Sequence, residues 1–435
     1  VGQARLKIAN IPKISPRFST IIKGNEYQTV NQFRLKSGVY TREKENGEFE
    51  SQFNLEKGFN FKLNFDPQRQ IFFLSLGNQN YHLYTLLRAL GVSDEEMEKS
   101  WGKEIFSKNQ IAGINSEMTE IPQIYKKVRH RDLPFNEALI GLKKYFSEET
   151  KISPETTKIT LGESFETVTP ALFLKTSRKL LKVVRHEQPS DERDSLIFKD
   201  LYSVDDLLTA HFEARKEAIG KTIKYRLDTK VNPREIISAE TFNKPVLEFF
   251  YKGELSSTPT QTNPIDILTE WRKTTIMGVG GVRSDHAITD KMRDVHPSHM
   301  GFLDAVSTTE SNPGITLNLT MGVLKDPEQQ HGLRTPVVFT TGKRKFITPF
   351  ELYNLKIGFP DQYFVEAGKV QPKFQTIKAV FEGKATTFSS SEIDAYIERP
   401  TNMFTWSTNL IPFLNYNSGG RAMYGSKQMA QAVPL

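Results

Sequence analysis

Two histidines three residues apart are the first group in this chain whose type and spacing could do chemistry. His296 and His299 enclose a proline and a serine. Paired imidazoles can bind a metal ion, but the proline disfavours a continuous helix and no third ligand lies nearby in the sequence. We therefore favour a structural histidine pair over a metal site.

Glycines and aspartates supply two further candidates. Gly278, Gly280 and Gly281 have the look of a phosphate-binding loop. Such a loop needs a following Lys-Ser/Thr, and a dinucleotide site needs a third spaced glycine, so a nucleotide loop is disfavoured. Four aspartates could instead be paired catalytic carboxylates: Asp285, Asp290, Asp294 and Asp304. Because they form no tight Asp-x-Asp cluster for two metal ions, we expect them to form ion pairs.

Basic side chains recur through this glycine- and proline-rich part of the chain. They follow Trp271 and comprise Arg272, Lys273, Arg283, Lys291 and Arg293. Guanidinium and ammonium groups can bind phosphates as forks or point charges. From residue types alone, a solvated basic surface is the favoured alternative.

A polar stripe near the end of the chain could bind phosphates or bases. Arg421, Tyr424, Gln428 and Gln431 recur at spacings of three and four, which predicts one face of a helix. A guanidinium, a phenol ring and two amides would suit a nucleoside triphosphate or a nucleic-acid backbone. They would equally suit a hydrogen-bonded contact between domains, and composition does not choose between these readings.

The elements that must position these residues begin with strands. Residues 18–22 and 27–30 alternate apolar and polar positions, which predicts a hairpin across Lys23-Gly24-Asn25-Glu26. Residues 59–65 and 71–76 predict a second strand pair, joined by a turn at Asp66-Pro67-Gln68-Arg69.

Helices follow the strands. Leucines from Leu83 to Leu90 fall at helical spacing, Gly91 is a plausible stop, and Ser93 is a good N-cap for the next helix. We expect residues 100–240 to be mainly helical, with a polar surface loop at residues 191–194. Dense glycine and proline predict a long irregular region from about residue 240. Strand-like segments return over 335–410, and a small-residue helix closes the chain.

Composition excludes several classes of protein. A length of 435 residues predicts two or three domains, and 37% hydrophobic with 25% charged residues excludes wholesale disorder. The absence of cysteine excludes disulfide scaffolds, thiolate zinc sites and cysteine nucleophiles. No serine nucleophile elbow is present, which disfavours an independent hydrolase. The net charge of +7 is compatible with nucleic acid without proving it. Since the chain lacks both an initiator methionine and a leader pattern, we expect a segment of a larger architecture.

Short motifs along the chain share their order with those of one known family. They lie at residues 261–264 (QTNP), 271–273 (WRK), 278–282 (GVGGV), 293–301 (RDVHPSHMG), 410–414 (LIPFL), 421–425 (RAMYG) and 431–435 (QAVPL). Weaker matches lie at residues 18–40, 65–67, 86–91 and 248–250. In this order the motifs resemble the N-terminal portion of the β subunit of bacterial-type multisubunit DNA-directed RNA polymerase.

The resemblance implies an α+β, multidomain fold built from the protrusion, lobe and fork regions of that subunit. Residues 1–40 would be part of the protrusion, continued by residues 235–260. Residues 41–234 would be the lobe, mainly helical with an early β hairpin. Residues 261–435 would be the fork and a following mixed β region, ending in a helix that lines the active centre.

The function implied by the resemblance is positioning within a nucleotidyltransferase. The family's catalytic Mg²⁺ is held by three aspartates of β′ in an Asp-Phe-Asp-Gly-Asp motif, which this sequence lacks, so the chain would hold neither a metal nor a complete catalytic centre. It would line the main channel and position the nucleoside triphosphate and the RNA 3′ end. A non-catalytic nucleic-acid-binding protein with a borrowed polymerase-β fold is the alternative.

Particular residues inherit roles from the resemblance. Arg421 matches an arginine that approaches the phosphates of the incoming nucleotide, and Gln431 matches a glutamine near the RNA 3′ end. Glu310 matches a fork glutamate near the active centre, and Lys427, where the family has asparagine, is assigned to the same substrate-binding group. Nucleic-acid contacts are assigned to Arg272, Lys273 and Arg283.

Departures from the family pattern concern the rifamycin pocket. Ser257, Thr260, Glu270 and Thr275 occupy pocket positions where the family usually has Gln, Asp, His and Ser. We therefore expect an enzyme containing this chain to resist rifampicin.

Partners and source also follow from the resemblance. The expected partners are the C-terminal part of β, the β′ chains, template DNA, RNA, nucleoside triphosphates and a sigma-like or promoter-specificity subunit, with no membrane. Strong divergence and a split β subunit resemble the polymerases of giant bacteriophages. The expected location is the cytoplasm of an infected bacterium, with packaging in the virion as an alternative.

Overall fold

A computed structural model describes residues 5–17, 19–44, 46–260, 263–310, 312–366 and 369–433. Parts of the motifs named above, at Phe18, residues 261–262 and residues 434–435, lie outside the described residues. The structure is mixed α and β with several sheets, which confirms the predicted α+β class. Over the residues that the structure describes, no helix is long and apolar enough to span a membrane.

The strands are short and numerous. In chain order they are β1 (Thr20–Ile22), β2 (Asn25–Thr29), β3 (Asn31–Leu35), β4 (Gly38–Glu43), β5 (Phe49–Asn54), β6 (Phe61–Asp66), β7 (Ile71–Leu76), β8 (Gln79–His82), β9 (Lys199–Tyr202), β10 (Ser256–Ser257), β11 (Lys273–Thr275), β12 (Leu303–Thr308), β13 (Thr316–Leu319), β14 (Leu324–Lys325), β15 (Leu333–Phe339), β16 (Arg344–Ile347), β17 (Ile357–Gly358), β18 (Tyr363–Glu366), β19 (Lys369–Pro372), β20 (Thr376–Phe381), β21 (Lys384–Ser389) and β22 (Ala395–Ile397).

The helices concentrate in the first half of the chain. They are α1 (Leu83–Leu90), α2 (Asp94–Trp101), α3 (Lys103–Gly113), α4 (Glu117–Arg129), α5 (Phe135–Lys144), α6 (Pro154–Leu161), α7 (Pro170–Val184), α8 (Val204–Thr229), α9 (Pro233–Ile236), α10 (Ala239–Lys252), α11 (Pro264–Glu270), α12 (Pro349–Asn354), α13 (Trp406–Asn409) and α14 (Gly419–Gln431). The mainly helical character predicted for residues 100–240 is confirmed.

The chain forms two compact units. One contains Leu35–Arg193, and the other contains the residues up to Arg34 together with those from Asp194 onward. These boundaries differ from the sequence-based divisions after residues 40, 234 and 260. Helices α8 and α10 belong to the discontinuous unit because Leu207 shares one core cluster with Ile22 and Val246.

The continuous unit packs helices on an antiparallel sheet of order β4-β5-β6-β7-β8. Apolar side chains alternate along β6, where Phe61, Leu63 and Phe65 are buried, as expected for a sheet with one face on the core. The predicted pairing of residues 59–65 with 71–76 is confirmed, because β6 pairs with β7 and Leu63 lies opposite Leu74. Helix α1 ends where predicted, because Gly91 adopts the left-handed conformation that glycine tolerates best.

The other unit holds several small sheets. The predicted hairpin is confirmed: β1 pairs with β2 so that Ile22 lies opposite Asn25, which leaves Lys23 and Gly24 as a two-residue turn. Further sheets have the orders β12-β13-β11-β3-β9 and β14-β15-β22-β17-β20-β21, with β16 on β15 and a separate pair β18-β19. The first of these two sheets carries residues of the fork-like motifs on β11.

One expectation about irregular segments is wrong, because residues 239–252 form helix α10 although an irregular region was predicted from about residue 240. The polar loop predicted at residues 191–194 is present, but Asp191 within it is mostly buried. Both of its carboxylate oxygens lie 2.6 Å from the Lys179 ammonium. Its Oδ2 also accepts a hydrogen bond from the Thr41 backbone N–H at 2.8 Å.

A buried carboxylate on the sheet of the continuous unit is surrounded by cations. Glu50 lies 2.6 Å from Arg42, 3.0 Å from Lys62 and 3.4 Å from Lys44. Burial alone raises the pKa of Glu50, but the hydrogen bonds from Lys62 and Arg42 outweigh it and lower the pKa from 4.5 to about 2. The carboxylate therefore stabilises the folded unit only while it is charged.

Replacing Glu50 with glutamine should lower the free energy of unfolding by about 2–3 kcal/mol at pH 7. Because the folded-state pKa is depressed, this contribution is complete above pH 4.5 and disappears as the pH falls through about 2. Urea unfolding of both proteins between pH 7 and pH 2 measures it. Glu43→Gln, at an exposed position on β4, is the control. A difference between wild type and Glu50→Gln that does not shrink with falling pH would contradict the assignment.

Candidate functional site

Helix α14 carries the polar stripe predicted from the sequence. Arg421, Tyr424, Gln428 and Gln431 are all exposed. Three small residues at spacings of four form the opposite, buried side, namely Ala422, Ser426 and Ala430. Small side chains let the helix pack closely on its neighbours, and the stripe of longer polar groups is therefore presented outward.

Buried hydroxyl groups fix α14 to α13. Ser426 Oγ lies 2.9 Å from Ser407 Oγ and 3.0 Å from Thr408 Oγ1. Thr405, which precedes α13, is bound in turn to Asp304 on β12. The backbone N–H and the hydroxyl of Thr405 donate to Asp304 Oδ2 at 2.8 and 2.9 Å. The position of α14 thus depends on a chain of buried polar contacts that starts in the sheet.

The N-cap of α11 holds the other end of α14. Asn263 Oδ1 accepts from the Ile265 N–H at 2.9 Å, while its Nδ2 donates to the carbonyl oxygens of Met429 and Ala432 at 3.0 and 2.8 Å. Asn followed by Pro264 at the first helical position is a helix-start signal that the sequence contained. The cap was missed because the segment was assigned to an irregular region.

A cavity of about 330 Å³ that opens to solvent lies between α11, the end of β12 and α14, and is called the α14 cavity below. Five residues singled out in the sequence analysis line it: Glu310, Lys427 and Gln431 from the substrate-binding group, Lys273 from the nucleic-acid contacts and Glu270 from the rifamycin-pocket positions. Asp266, Thr269 and Ser307 are among the lining residues that the sequence did not single out. Residues more than 150 positions apart in the chain therefore share one concave surface.

Charge in the cavity is balanced by ion pairs. Lys427 Nζ lies 2.9 Å from Glu310 Oε1, and Lys273 Nζ lies 2.9 Å from Glu270 Oε1. Burial raises the pKa of Asp266, and the neighbouring charge of Glu270 raises it further. Among the described residues, no group of three or more His, Asp or Glu side chains is arranged to hold a metal ion.

Arg272 is oriented inward. Its Nη1 donates to the Thr320 carbonyl oxygen, and burial lowers the pKa of its guanidinium. Of the other basic residues, Arg283 is exposed and lines a separate cavity with Glu254 and Met277, whereas Arg293 lies 3.4 Å from Asn312 Oδ1. The basic groups of this region thus do not form one patch.

The glycine-rich segment is a turn held by side chains from β3. Gln32 Nε2 donates to the Met277 carbonyl oxygen at 2.7 Å, and Arg34 Nη2 donates to that of Val279 at 3.1 Å. Gly280, at φ 92°, faces the Arg34 guanidinium so closely that a Cβ would overlap it. Glycine here serves close packing, and no local sequence pattern indicates that the distant Gln32 and Arg34 are the partners.

The side chains of His296 and His299 are held within the fold by a capping hydrogen bond and by burial. His296 Nδ1 accepts from the Ser298 N–H at 3.1 Å and so caps the short 3₁₀ turn Pro297–His299. Burial is the main cause that lowers the pKa of His299 to about 3, and the charge of His296 lowers it further. The ring of His299 is therefore neutral at physiological pH.

The expectation of ion pairs is wrong for Asp304. It is fully buried, and besides the two bonds from Thr405 it accepts from the backbone N–H groups of Val306 and Ser307 at 2.8 and 3.2 Å. A carboxylate with several N–H donors needs no cationic partner. Asp290 and Asp294 are exposed, and the side chain of Asp285 lies outside the described part of the chain.

The four positions matched to the rifamycin pocket occupy different surroundings. Ser257 pairs with Gln28 across β10 and β2, and Thr260 is exposed. Glu270 lines the α14 cavity. Thr275 is buried at the end of β11 and lines another cavity of about 320 Å³ together with Lys273.

Comparison with known proteins gives one consistent similarity. Residues 258–322 match the family model for RNA polymerase Rpb2, domain 3. The chain is similar to the DNA-directed RNA polymerase subunit beta of Gloeobacter violaceus and to that of Pyropia yezoensis, with 24% identity in each case. The aligned region comprises 100% and 98% of this chain, respectively, and 41% of each relative. The match to the Flavobacterium psychrophilum subunit is 26% identical over 74% of the chain and 27% of the relative. The chain spans about two fifths of the length of the first two relatives. These similarities, with the mixed α and β fold, support the interpretation of this chain as a portion of an RNA polymerase β subunit.

Proposed function

We propose that this chain is a subunit, or part of a subunit, of a DNA-dependent RNA polymerase that lines the main channel and positions the nucleoside triphosphate and the RNA 3′ end. The observation that carries the proposal is the α14 cavity. Segments that resemble separate β motifs, around residues 270, 310 and 430, line this one cavity beside the exposed stripe of α14. A site built from several segments can position a substrate more rigidly than a single loop.

Arg421 is assigned to the phosphates of the incoming nucleotide. It is exposed in the first turn of α14, where the N-terminal end of the helix adds a favourable potential for anions. Negative charge is spread over the phosphate oxygens during phosphoryl transfer, so a fixed guanidinium lowers the barrier by stabilising the transition state. The guanidinium orients the triphosphate, and no proton transfer is required of it.

Gln431 is assigned to the RNA 3′ end. Its side chain lines the cavity at the last turn of α14, and its amide can both donate and accept hydrogen bonds. Such a group suits a ribose hydroxyl, which also has both capacities. Glu310 and Lys427 form the adjoining wall of the cavity.

Nucleic-acid contacts are assigned to Arg272, Lys273 and Arg283. Arg283 has the exposure that phosphate binding requires. Lys273 lines the cavity through its pair with Glu270, and Arg272 acts mainly by holding the Thr320 carbonyl and thus the strand beside β11. We expect Arg283 substitutions to weaken binding of nucleic acid most strongly among the three.

We assign the catalytic Mg²⁺ to the partner subunit β′. In this chain the cavity carboxylates Glu270 and Glu310 each face a lysine at 2.9 Å, a donor set that does not fit Mg²⁺, which prefers carboxylates together with water or phosphate oxygens. When bound by β′, Mg²⁺ would supply charge neutralisation at the phosphates. The residues described here bind and orient the substrates.

Rifampicin should inhibit an enzyme containing this chain weakly or not at all. Glu270 is paired with Lys273, and this ion pair presents charge at a position that the resemblance assigns to the rifamycin pocket and that the family usually fills with histidine. Titration of transcription with rifampicin is the measurement, and a bacterial polymerase is the sensitive control. Half-inhibition at the concentration that inhibits the bacterial enzyme would contradict the proposal.

We propose that the source is a giant bacteriophage. Support comes from the low identity of 24% to cellular relatives over the whole chain and from the departures at Ser257, Thr260, Glu270 and Thr275. Mass spectrometry of the complete enzyme from its source would identify the partner chains and distinguish a cytoplasmic from a virion-packaged enzyme.

The test of the function is co-purification followed by transcription. The tagged chain, expressed in its natural host, should purify with a β′-like chain carrying an Asp-Phe-Asp-Gly-Asp motif and with the rest of β, and the complex should synthesise RNA from a DNA template. If the chain binds nucleic acid but purifies without polymerase subunits, the alternative of a non-catalytic binding protein is correct.

A further inference from the structure

The ion pair between Lys427 and Glu310 joins two parts of the cavity wall that are built independently. Lys427 lies on α14, and Glu310 follows β12 in the turn that leads to β13. The side chains are 41% and 36% exposed, so the pair lies at the mouth of the cavity and remains accessible to solvent.

The α14 side of the pair is firmly held. Ser426, the residue before Lys427, makes the buried hydroxyl contacts to α13, and Asn263 binds the carbonyl oxygens at the end of the helix. Because these contacts are buried or involve backbone groups, α14 keeps its position whether or not Lys427 is paired.

Among the described residues of the turn that carries Glu310, two hydrogen bonds join the turn to itself, and Arg293 Nη1 reaches Asn312 Oδ1 from outside it at 3.4 Å. Thr308 Oγ1 accepts from the Gly314 N–H at 2.9 Å, and Thr309 Oγ1 donates to the Asn312 carbonyl oxygen at 2.8 Å. These bonds fix the shape of the turn without tying it to α14. The Lys427–Glu310 pair does tie it to α14, at 2.9 Å.

Charge balance gives the pair a second consequence. Lys273 is already neutralised by Glu270 on the same cavity wall. If Lys427 lost its partner, the cavity would carry an unpaired ammonium, whereas loss of the lysine would leave Glu310 facing Asp266 and Glu270 across a shared space. Either change alters the potential at the place where a polyanionic substrate must approach.

We propose that Lys427 is a positioning residue that clasps the Glu310 turn to α14 and thereby sets the width and charge of the cavity mouth through which the nucleotide enters. Its effect on nucleotide binding rests on the proposed function, but the clasp itself is a property of this chain. Opening the pair lets the turn move away from α14 while the helix stays in place.

Charge reversal in the assembled polymerase tests the clasp. Lys427→Glu replaces the ion pair, in which Nζ and Oε1 are 2.9 Å apart, with two like charges and should raise the nucleotide KM by about tenfold, with a smaller change in kcat. The double variant Lys427→Glu with Glu310→Lys restores opposite charges and should return KM to within about threefold of wild type. Lys384→Glu, at an exposed position on β21, controls for the change in net charge.

A second readout does not depend on transcription. Hydrogen exchange should show amide exchange at residues 307–310 faster by about fivefold in Lys427→Glu, with residues 422–430 of α14 unchanged and the double variant restored. If the double variant recovered neither the wild-type exchange rate nor the wild-type KM, the clasp would be overturned. If exchange responds as expected but nucleotide binding is indifferent to all variants, the clasp stands and the proposed role of the cavity fails.

Discussion

Replacing Arg421 with alanine should lower kcat/KM for nucleotide incorporation by about 10²–10³-fold in the assembled polymerase. The side chain is exposed in the first turn of α14, so its removal should leave the fold intact and delete only the charge that we assign to the phosphates. On that assignment the guanidinium stabilises charge that is more widely spread in the transition state than in the ground state, and kcat should therefore fall as well as substrate affinity.

Two further variants separate charge from geometry at this position. Arg421→Lys keeps the positive charge but loses the planar fork, so its kcat/KM should lie between those of the wild type and the alanine variant. Arg399→Ala removes an exposed arginine near a different strand and should leave the rate unchanged. Single-nucleotide addition at saturating and limiting nucleotide measures all of these, and an unchanged kcat/KM for Arg421→Ala would disprove the assignment.

Asp304→Asn should destabilise its unit by about 3–5 kcal/mol and also impair the site. The carboxylate accepts from two backbone N–H groups on its own strand and from the N–H and hydroxyl of Thr405. In the carboxylate, Oδ1 accepts from the Val306 and Ser307 N–H groups and Oδ2 accepts from Thr405. An asparagine amide replaces one of these oxygens with an NH₂ group, so the buried donors on that side would lose their acceptor. The free energy of unfolding in urea measures the loss.

The effect should extend to the cavity because Thr405 leads into α13, which anchors Ser426. We therefore expect a higher nucleotide KM in addition to lower stability. Asp361→Asn, at an exposed aspartate, is the matched control and should change neither quantity. Unchanged stability in Asp304→Asn would show that the carboxylate is not the anchor of this segment.

Turns and helix ends could be predicted from the sequence because a few neighbouring residues determine them. The turn at Lys23-Gly24, the stop of α1 at Gly91 and the N-cap at Ser93 all follow from backbone preferences of a few residues, and the structure contains them. The exposed stripe from Arg421 to Gln431 follows from helical periodicity alone. Residue types and motif order also pointed to the polymerase β resemblance, to which the similarity of the whole chain gives support.

The tertiary structure decided which of the candidate side chains are free to contact a substrate and which are engaged within the protein. The sequence treated Arg272 and Lys273 as equivalent basic groups, yet one donates to a buried carbonyl and the other pairs with Glu270 in the cavity. It predicted an ion pair for Asp304, although the fold buries this carboxylate among N–H donors. The pairing of Lys427 with Glu310 joins residues 117 positions apart, and no local pattern encodes it. Periodicity and capping act over one or two turns of chain, whereas burial and ion pairing depend on which distant segments the fold brings together.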